Sequence, residues 1–158
     1  MRTFVTVLLV LVAAAPALAQ DAPRYSVEVV SGYHPFLVQG IDHVAVGGAS
    51  RIRLGRWHLG PELVYLKGPD FDDDLVLNAT AVFDLIRGDD AVPFLVFAGG
   101  MMHHWGEFDR QSGWTPYVDF GGGARIKATE RVFATVETRI GFEWHARLMG
   151  SVGWKFGR

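Results

Sequence analysis

The sequence predicts an all-β fold, an eight-stranded antiparallel up-and-down β-barrel that crosses a membrane. Three observations favour it: apolar and polar residues alternate with a period of two after Tyr25, the predicted strands are long, and tight turns alternate with longer loops. Strands of soluble sheets usually have about 5–6 residues, whereas tilted membrane strands need about 9–11. Most of the expected strands are of the longer kind: 25–35, 43–54, 57–67, 75–86, 92–105, 114–127, 131–142 and 146–156.

Residues 1–19 predict a secretory signal peptide that is not part of the barrel. Arg2 supplies a positive start, an apolar run extends from Phe4 to Val12, and Ala17 to Ala19 form a small-residue cleavage site. The apolar run is too short for a membrane-spanning helix, which needs about 20 residues. We therefore expect export through the Sec pathway and a single mature domain at 20–158.

Composition excludes several classes of function. The formal net charge is −2, which offers no basic field for nucleic acid. The absence of cysteine rules out disulfides, thiolate metal sites and cysteine nucleophiles. Hydrophobic residues make up 49% of the chain, yet they are dispersed after the signal peptide, so no transmembrane helix is expected in the mature chain.

Each predicted strand has an apolar face and a polar face. In the fourth strand, Leu77 and Phe83 lie on one face, and Asn78 and Asp84 lie on the other. The strand around Phe94 to Met102 is nearly all apolar, so its two faces cannot be assigned from the pattern.

The direction of these faces decides the class of barrel. A membrane barrel is apolar outside and can be polar inside, because its closed sheet pairs every backbone group. An eight-stranded interior is filled by side chains, and buried charges persist there only when they are paired. We therefore predict a lumen ion-pair network of Glu28, Arg51, Arg53, Glu62, Asp84, Asp119, Arg125, Lys127, Glu137, Arg139 and Lys155.

A soluble lipocalin-like barrel is the alternative with the opposite arrangement. In that barrel Leu75, Phe83 and Val118 would point inward. Strand length favours the membrane, as do the glycine runs 47–48 and 121–123, which suit curved strands. Aromatic residues near strand ends also predict interfacial girdles: Trp57, Tyr65, Trp114, Phe142, Trp154 and Phe156.

The connections predict an orientation. Tight turns occur at 55–56, 87–90 and 129–130, whereas longer loops occur at 36–42, 68–74 and 106–113. Short turns on one side and longer loops on the other are typical of outer-membrane barrels whose chain ends face the periplasm.

No catalytic site is predicted. No serine lies in a G-x-S-x-G motif, and none lies two residues after a histidine. Ser151 and His145 share a strand region but are well separated. The protein is therefore not expected to be an enzyme.

No metal or cofactor site is predicted either. No histidine pair has the i, i+2 spacing that would place two ligands on one face of a strand, and the rim histidines are interpreted as surface residues. They are His34, His43, His103, His104 and His145 on the loop side, and His58 on the turn side. The acidic run 70–74 fails the calcium-loop pattern, because Leu75 and Ala81 stand where glycine and glutamate are required, so it predicts a solvated loop.

The signal peptide, the segment from Pro116 to Arg125 and the last strand together resemble the small outer-membrane β-barrel superfamily, the porin-like group with OmpA-type and OmpW-like barrels. The resemblance implies an outer-membrane location in contact with lipid and lipopolysaccharide. It also implies that Val152, Trp154 and Phe156 form the signal that the barrel-assembly machinery reads, although Gly157 and Arg158 follow.

The expected function is a structural or surface role with little or no pore activity, in a protein that is a monomer. Two alternatives remain open at this point. One is a narrow channel or binder for small apolar molecules, and the other is a soluble lipocalin-like periplasmic carrier.

Overall fold

The computed structural model describes residues 24–38, 40–69, 72–88, 90–105, 113–142 and 144–157. The predicted signal peptide, residues 1–19, lies outside the described residues. So do Asp70 and Phe71 of the acidic loop and residues 106–112 of a predicted long loop.

The described chain forms a closed eight-stranded antiparallel barrel in which consecutive strands pair and the last strand pairs with the first. The strands are β1 (Arg24–Phe36), β2 (Ile41–Leu54), β3 (Trp57–Lys67), β4 (Asp73–Asp84), β5 (Ala91–Trp105), β6 (Trp114–Lys127), β7 (Val132–Gly141) and β8 (His145–Phe156). This confirms the predicted fold class. Among the described residues, no helix is long and apolar enough to cross a bilayer.

Strand boundaries agree with the predicted ones within two residues, and those of β3 and β6 are identical. The largest difference is in β4, which begins and ends two residues earlier than expected. Asp73 and Asp74 belong to the strand because they continue its ladder opposite Lys67 and Leu66 of β3. The polar pattern had suggested a loop there, but cross-strand pairing extends the sheet beyond the apolar residues.

The charged face points inward and the apolar face points outward. Glu62 and Arg139 are each 1% exposed, whereas Phe120 and Val152 are 52% and 61% exposed. The soluble carrier alternative is therefore wrong, because it required residues such as Val118 to point inward, and Val118 is exposed. In β5, whose faces the sequence left unassigned, Phe94, Val96 and Met102 are buried while Leu95, Phe97 and Met101 are exposed.

Two inward-facing glycines allow neighbouring strands to approach closely. A Cβ atom at Gly121 would lie 1.9 Å from the backbone oxygen of Thr138, and one at Gly47 would lie 2.1 Å from that of Leu63. Any larger residue would have to displace the adjacent backbone. The glycine runs at these positions thus permit the tight curvature of the barrel wall.

The lumen is layered along the barrel axis between two ends. We call the end where β1 begins and β8 finishes the terminal end, and the opposite one the loop end. Acidic and basic side chains fill the middle. An apolar cluster that includes Val64, Leu66 and Met149 lies toward the loop end, and a smaller one of Val82, Phe94 and Val96 lies toward the terminal end.

The lumen as candidate functional site

The middle of the lumen holds a group of paired charges that we call the ionic belt: Glu28, Arg51, Glu62, Asp119, Glu137, Arg139 and Arg147. Arg139 connects most of it. Its Nη2 atom donates to Glu62 Oε2 at 2.8 Å and to Glu137 Oε1 at 2.5 Å, and its Nη1 atom donates to Asp119 Oδ1 at 3.4 Å. A single guanidinium therefore joins three carboxylates from three strands.

Arg147 forms a second bridge within the ionic belt. Its Nη1 atom donates to Asp119 Oδ2 at 2.9 Å and its Nη2 atom to Glu62 Oε1 at 3.1 Å. The sequence reasoning missed Arg147, although a signal was available. Arg147 has the same parity in β8 as Lys155, which the predicted network had already placed in the lumen.

Arg51, the third arginine of the ionic belt, connects the network to Glu28 on β1. Arg51 donates a short hydrogen bond to Glu28, and its Nη2 atom lies 3.8 Å from Glu62 Oε2. Ser151 Oγ donates to Glu28 Oε2 at 3.0 Å and lies 2.5 Å from the hydroxyl of Thr135. Both carboxylate oxygens of Glu28 are thus engaged.

Burial makes this pairing necessary. Removing a charge from water costs several kcal/mol even after relaxation, and only close partners with good geometry offset that cost. Arg139, Arg147 and Glu62 are among the largest fully buried side chains of the protein. The belt therefore occupies the centre of the lumen with bulky groups that are held by one another.

The structure divides the residues of the predicted network into two groups. Glu28, Arg51, Glu62, Asp119, Glu137 and Arg139 lie in the ionic belt, whereas Arg53, Asp84, Arg125, Lys127 and Lys155 lie at the terminal end. The alternation gives the face of a residue but not its height along the axis. Because the strands are tilted and staggered, residues that share a face can lie in different layers.

At the terminal end, Asp84 is the centre of a smaller cluster. Arg125 Nη1 donates to Asp84 Oδ1 at 3.0 Å, and His58 Nε2 lies 2.9 Å from Asp84 Oδ2. The guanidinium of Arg125 also lies 5.6 Å from the ring centres of both Phe94 and Phe133. Two rings and a carboxylate therefore fix the position of Arg125.

A cavity of 50 Å³ opens beside this cluster. Its charged lining consists of Arg53, His58, Asp84, Arg125, Lys127 and Lys155. Lys127 Nζ also lies 2.6 Å from Glu130 Oε1 in the adjoining turn, and Arg53 Nε donates to the backbone oxygen of Gly55 at 3.1 Å. Among the described residues that line this cavity, cationic side chains thus outnumber acidic ones.

At the loop end, three histidines from three strands converge on Phe36 and Tyr117. The ring centres of His34 and His145 are 4.8 Å apart, His145 stacks on Tyr117 at 4.7 Å, and Phe36 lies 5.2 Å from His43. We call these five residues the histidine cluster. All three imidazoles are buried, so the interpretation of His34, His43 and His145 as surface residues is wrong. The β1–β2 ladder pairs His34 with His43, and the β1–β8 ladder pairs Phe36 with His145. These ladders bring residues that are distant in sequence together inside the lumen.

An acidic group adjoins the histidine cluster at the rim. His43 Nε2 lies 3.5 Å from Asp74 Oδ2 and 3.6 Å from Asp72 Oδ2, and His104 Nδ1 lies 2.6 Å from Asp74 Oδ1. Partial burial, reinforced by the neighbouring Asp74 carboxylate, raises the pKa of Asp72 above its ordinary value. Within the part of the chain that the structure describes, no group of three or more histidine and acidic side chains has the geometry of a metal site.

Neither a family model nor a curated protein matches the chain. The fold itself, however, is similar to those of several solved structures. Neisserial surface protein A is 11% identical over 87% of this chain and 100% of its own, with a TM-score of 0.68. The N-terminal β-barrel domain of Pseudomonas aeruginosa OprF is 14% identical over 84% of this chain and 97% of its own, with a TM-score of 0.67. A designed transmembrane barrel, TMB2.3, is 13% identical over 89% of this chain and 99% of its own, with a TM-score of 0.56.

The chain has the fold of the small transmembrane β-barrels. The outer surface of the barrel agrees with that fold. Exposed tryptophans lie near both ends, with Trp57 and Trp154 at the terminal end and Trp105 and Trp114 at the loop end. Such aromatic belts mark the two membrane interfaces.

The residues of the predicted assembly signal, Val152, Trp154 and Phe156, all project outward from β8 and are exposed. Ser151, directly before Val152, lies on the opposite face, and its hydroxyl donates to Glu28 of the ionic belt. An outward row of alternate apolar side chains therefore ends the last strand.

Proposed function

We propose that this protein is an outer-membrane barrel with a structural or surface role and a lumen that does not conduct ions. The ionic belt is the observation on which the proposal rests. Arg139 and Arg147 span the centre of the lumen, and both are tied to Glu62 and Asp119 from other strands. A solute that passed through would have to separate these buried pairs, and that separation would leave uncompensated charges in a poorly hydrated interior.

A narrow channel or a binder for small apolar molecules is the competing function. The cavity at the terminal end does not favour it, because charged side chains such as Arg53, Asp84 and Lys155 line that space. The larger apolar cluster is filled by its own side chains, with Val64, Leu66 and Met102 almost completely buried.

The proposal includes the setting of the barrel. Its exposed apolar surface would contact outer-membrane lipid and lipopolysaccharide, and Val152, Trp154 and Phe156 would be read by the barrel-assembly machinery after export through the Sec pathway. No catalytic activity is proposed, since Ser151 is engaged by Thr135 and Glu28 inside the lumen. The comparison with small barrels of the outer membrane, all of low sequence identity, supports this setting through the fold.

Conductance across a planar bilayer tests the closed lumen. The refolded wild-type protein should show no discrete current steps. A variant with Glu62→Ala, Arg139→Ala and Arg147→Ala, which removes the centre of the belt, should show them because water can enter the vacated space. The variant Arg131→Ala, altered in an exposed turn, should behave like the wild type.

Faster migration of unboiled samples on gels verifies in each case that the barrel is folded. Regular current steps from the folded wild-type protein would disprove the closed lumen and favour the narrow channel instead.

A further inference from the structure

The outer wall at the terminal end carries an arginine that its surroundings hold in place. Arg56 belongs to the tight turn between β2 and β3. Its Nε atom donates to the backbone oxygen of Asp84 at 2.8 Å, and its Nη2 atom donates a short hydrogen bond to that of Leu85. The guanidinium also lies over the ring of Phe83, 4.5 Å from the ring centre. Two backbone oxygens and an aromatic ring therefore fix the orientation of this cation.

This guanidinium lies on the outer side of the wall. Val82 and Asp84 are buried, so the side chain of Phe83 between them points outward. The ring of Trp57, which is 42% exposed, packs against Phe83 with ring centres 4.7 Å apart. Because Arg56 lies over the same ring, its charge stands beside two outward aromatic side chains. Such tryptophans lie at the membrane interface, at the height of the lipid headgroups.

Part of the guanidinium of Arg56 is not used by the protein. A guanidinium carries several N–H donors, and the two backbone contacts engage its Nε and Nη2 atoms. Within the described part of the chain, Nη1 makes no hydrogen bond, and no carboxylate pairs with this side chain. The edge formed by Nη1 and Nη2 is the one that donates to phosphate oxygens as a two-pronged fork. A donor edge of this kind is thus held at the membrane interface.

We propose that Arg56, Trp57 and Phe83 form a binding site for the phosphodiester group of a glycerophospholipid. The guanidinium complements the negative charge of the phosphate, and donors that are held in place before the ligand arrives lose less freedom on binding. Below the site, the exposed side chains of Leu59 and Leu95 offer apolar surface to an acyl chain. A phospholipid supplies both the anion and the chain, whereas free phosphate supplies only the anion.

An outward cation at the loop end is already paired with an acid. Lys67 Nζ lies 2.8 Å from Asp73 Oδ1, and the hydroxyl of Tyr65 donates to Asp73 Oδ2 at 2.6 Å. This contrast places the lipid site at the terminal end of the wall. The inference rests on the membrane setting of the proposed function, but it does not depend on the closed lumen, because the site lies outside the barrel.

Native mass spectrometry of the refolded protein in a maltoside detergent tests the site with phosphatidylglycerol. Digalactosyl diacylglycerol with the same acyl chains is the comparison lipid, because it lacks a phosphate. The wild-type protein should retain one phosphatidylglycerol and much less of the galactolipid. Arg56→Gln should reduce the retained phosphatidylglycerol by about fivefold, because it removes the charge-assisted contact. Arg131→Gln, in an exposed turn at the same end, is the matched control and should retain the lipid like the wild type.

Phe83→Leu separates the position of the guanidinium from its charge. The variant keeps Arg56 but removes the ring beneath its guanidinium, so the retained phosphatidylglycerol should fall by about twofold. Gel migration of unboiled samples verifies that each variant is folded. Retention by Phe83→Leu equal to that of the wild type would show that the ring does not belong to the site.

Three results would overturn the lipid site itself. They are the absence of retained phosphatidylglycerol on the folded wild-type protein, equal retention of the galactolipid, and a loss in Arg131→Gln as large as that in Arg56→Gln, which would indicate a diffuse charge effect. The proposed function fails by other measurements. Current steps from the wild-type protein would contradict the closed lumen, and a mature protein that stayed monodisperse without detergent would contradict the membrane setting.

Discussion

The ionic belt and the histidine cluster solve the same problem in different ways. Both place polar side chains in the lumen of one barrel, away from water. In the ionic belt, Arg139 reaches three carboxylates at distances of 2.5–3.4 Å. In the histidine cluster the rings pack on one another and on Tyr117, and among the described residues neither nitrogen of His34 has a hydrogen-bond partner.

The difference follows from charge. An ionised group in a poorly hydrated interior requires a counter-charge, whereas a neutral imidazole can be buried at a cost of about 1–3 kcal/mol for each unsatisfied polar group. We therefore expect the loss of any member of the ionic belt to lower the stability of the protein strongly. Apolar replacement of a residue in the histidine cluster should change the stability little. Three substitutions test that contrast, and a fourth tests the acidic group beside the histidine cluster; they follow from the largest expected effect to the smallest.

Arg139→Met should have the largest effect. It leaves Glu62 and Glu137 without their principal partner in a fully buried position, so the free energy of unfolding should fall by about 3–5 kcal/mol. Chemical unfolding of the refolded protein in detergent micelles measures this change. Arg131→Met, in the exposed turn, should change stability by less than about 0.5 kcal/mol. A similar small change in Arg139→Met would show that the belt is hydrated and only weakly coupled.

Arg147→Lys should have an intermediate effect. The charge is kept, but a single ammonium cannot match the two separate contacts that Nη1 and Nη2 make with Asp119 and Glu62. Unfolding should become easier by about 1–2 kcal/mol. Arg87→Lys, at an exposed position, is the control for the exchange itself. If Arg147→Lys left the free energy of unfolding unchanged, the positive charge at this position, and not the two-pronged geometry of the guanidinium, would stabilise the ionic belt.

His34→Leu should change the free energy of unfolding by less than about 1 kcal/mol, and the variant can be more stable than the wild type. It removes two buried nitrogens that lack partners among the described residues, and leucine occupies a similar volume. The same unfolding experiment at neutral pH provides the comparison with Arg139→Met. A loss as large as that of Arg139→Met would contradict the contrast and show that the imidazole makes an essential polar contact.

Asp72→Asn should have the smallest effect, and the effect should depend on pH. Because burial and Asp74 raise the pKa of Asp72 in the folded protein, the ionised carboxyl disfavours folding, and this penalty is relieved as the pH falls through the raised pKa. The variant should therefore unfold at a slightly higher temperature at neutral pH, and the gain should vanish below the ordinary value of about 3.9. Asp73→Asn, which removes the ion pair with Lys67, should show no such gain. A gain that persisted at low pH would contradict this assignment.

Much of the fold follows from local pattern, and the exceptions are informative. The period of two located all eight strands, and β3 and β6 had the bounds expected. It could not assign the faces of β5, since apolar residues such as Val96 and Phe97 occur on both sides of that strand. In β5, apolar side chains fill the lumen on one face and form the outer surface on the other, so both faces have the same composition.

The composition of the candidate sites depends more on which residues are close in space than on which are close in sequence. The predicted charges are on the inner face, but their separation into the ionic belt and the terminal cavity comes from strand stagger. The histidine cluster was misjudged because His34, His43 and His145 are far apart in the chain, and only the ladders of β1 with β2 and β8 bring them together. Arg147 could have been found, because it has the same parity in β8 as Lys155, a member of the predicted network.

By itself the sequence determined which residues alternate, and hence the strands, their length and the two faces of the wall, because side chains in an extended chain point to opposite sides in turn. The tertiary structure decided which face is enclosed, the height of each inward residue and the partner it meets. Those depend on how tilted strands are staggered when the sheet closes, a relation between distant segments that no local pattern contains.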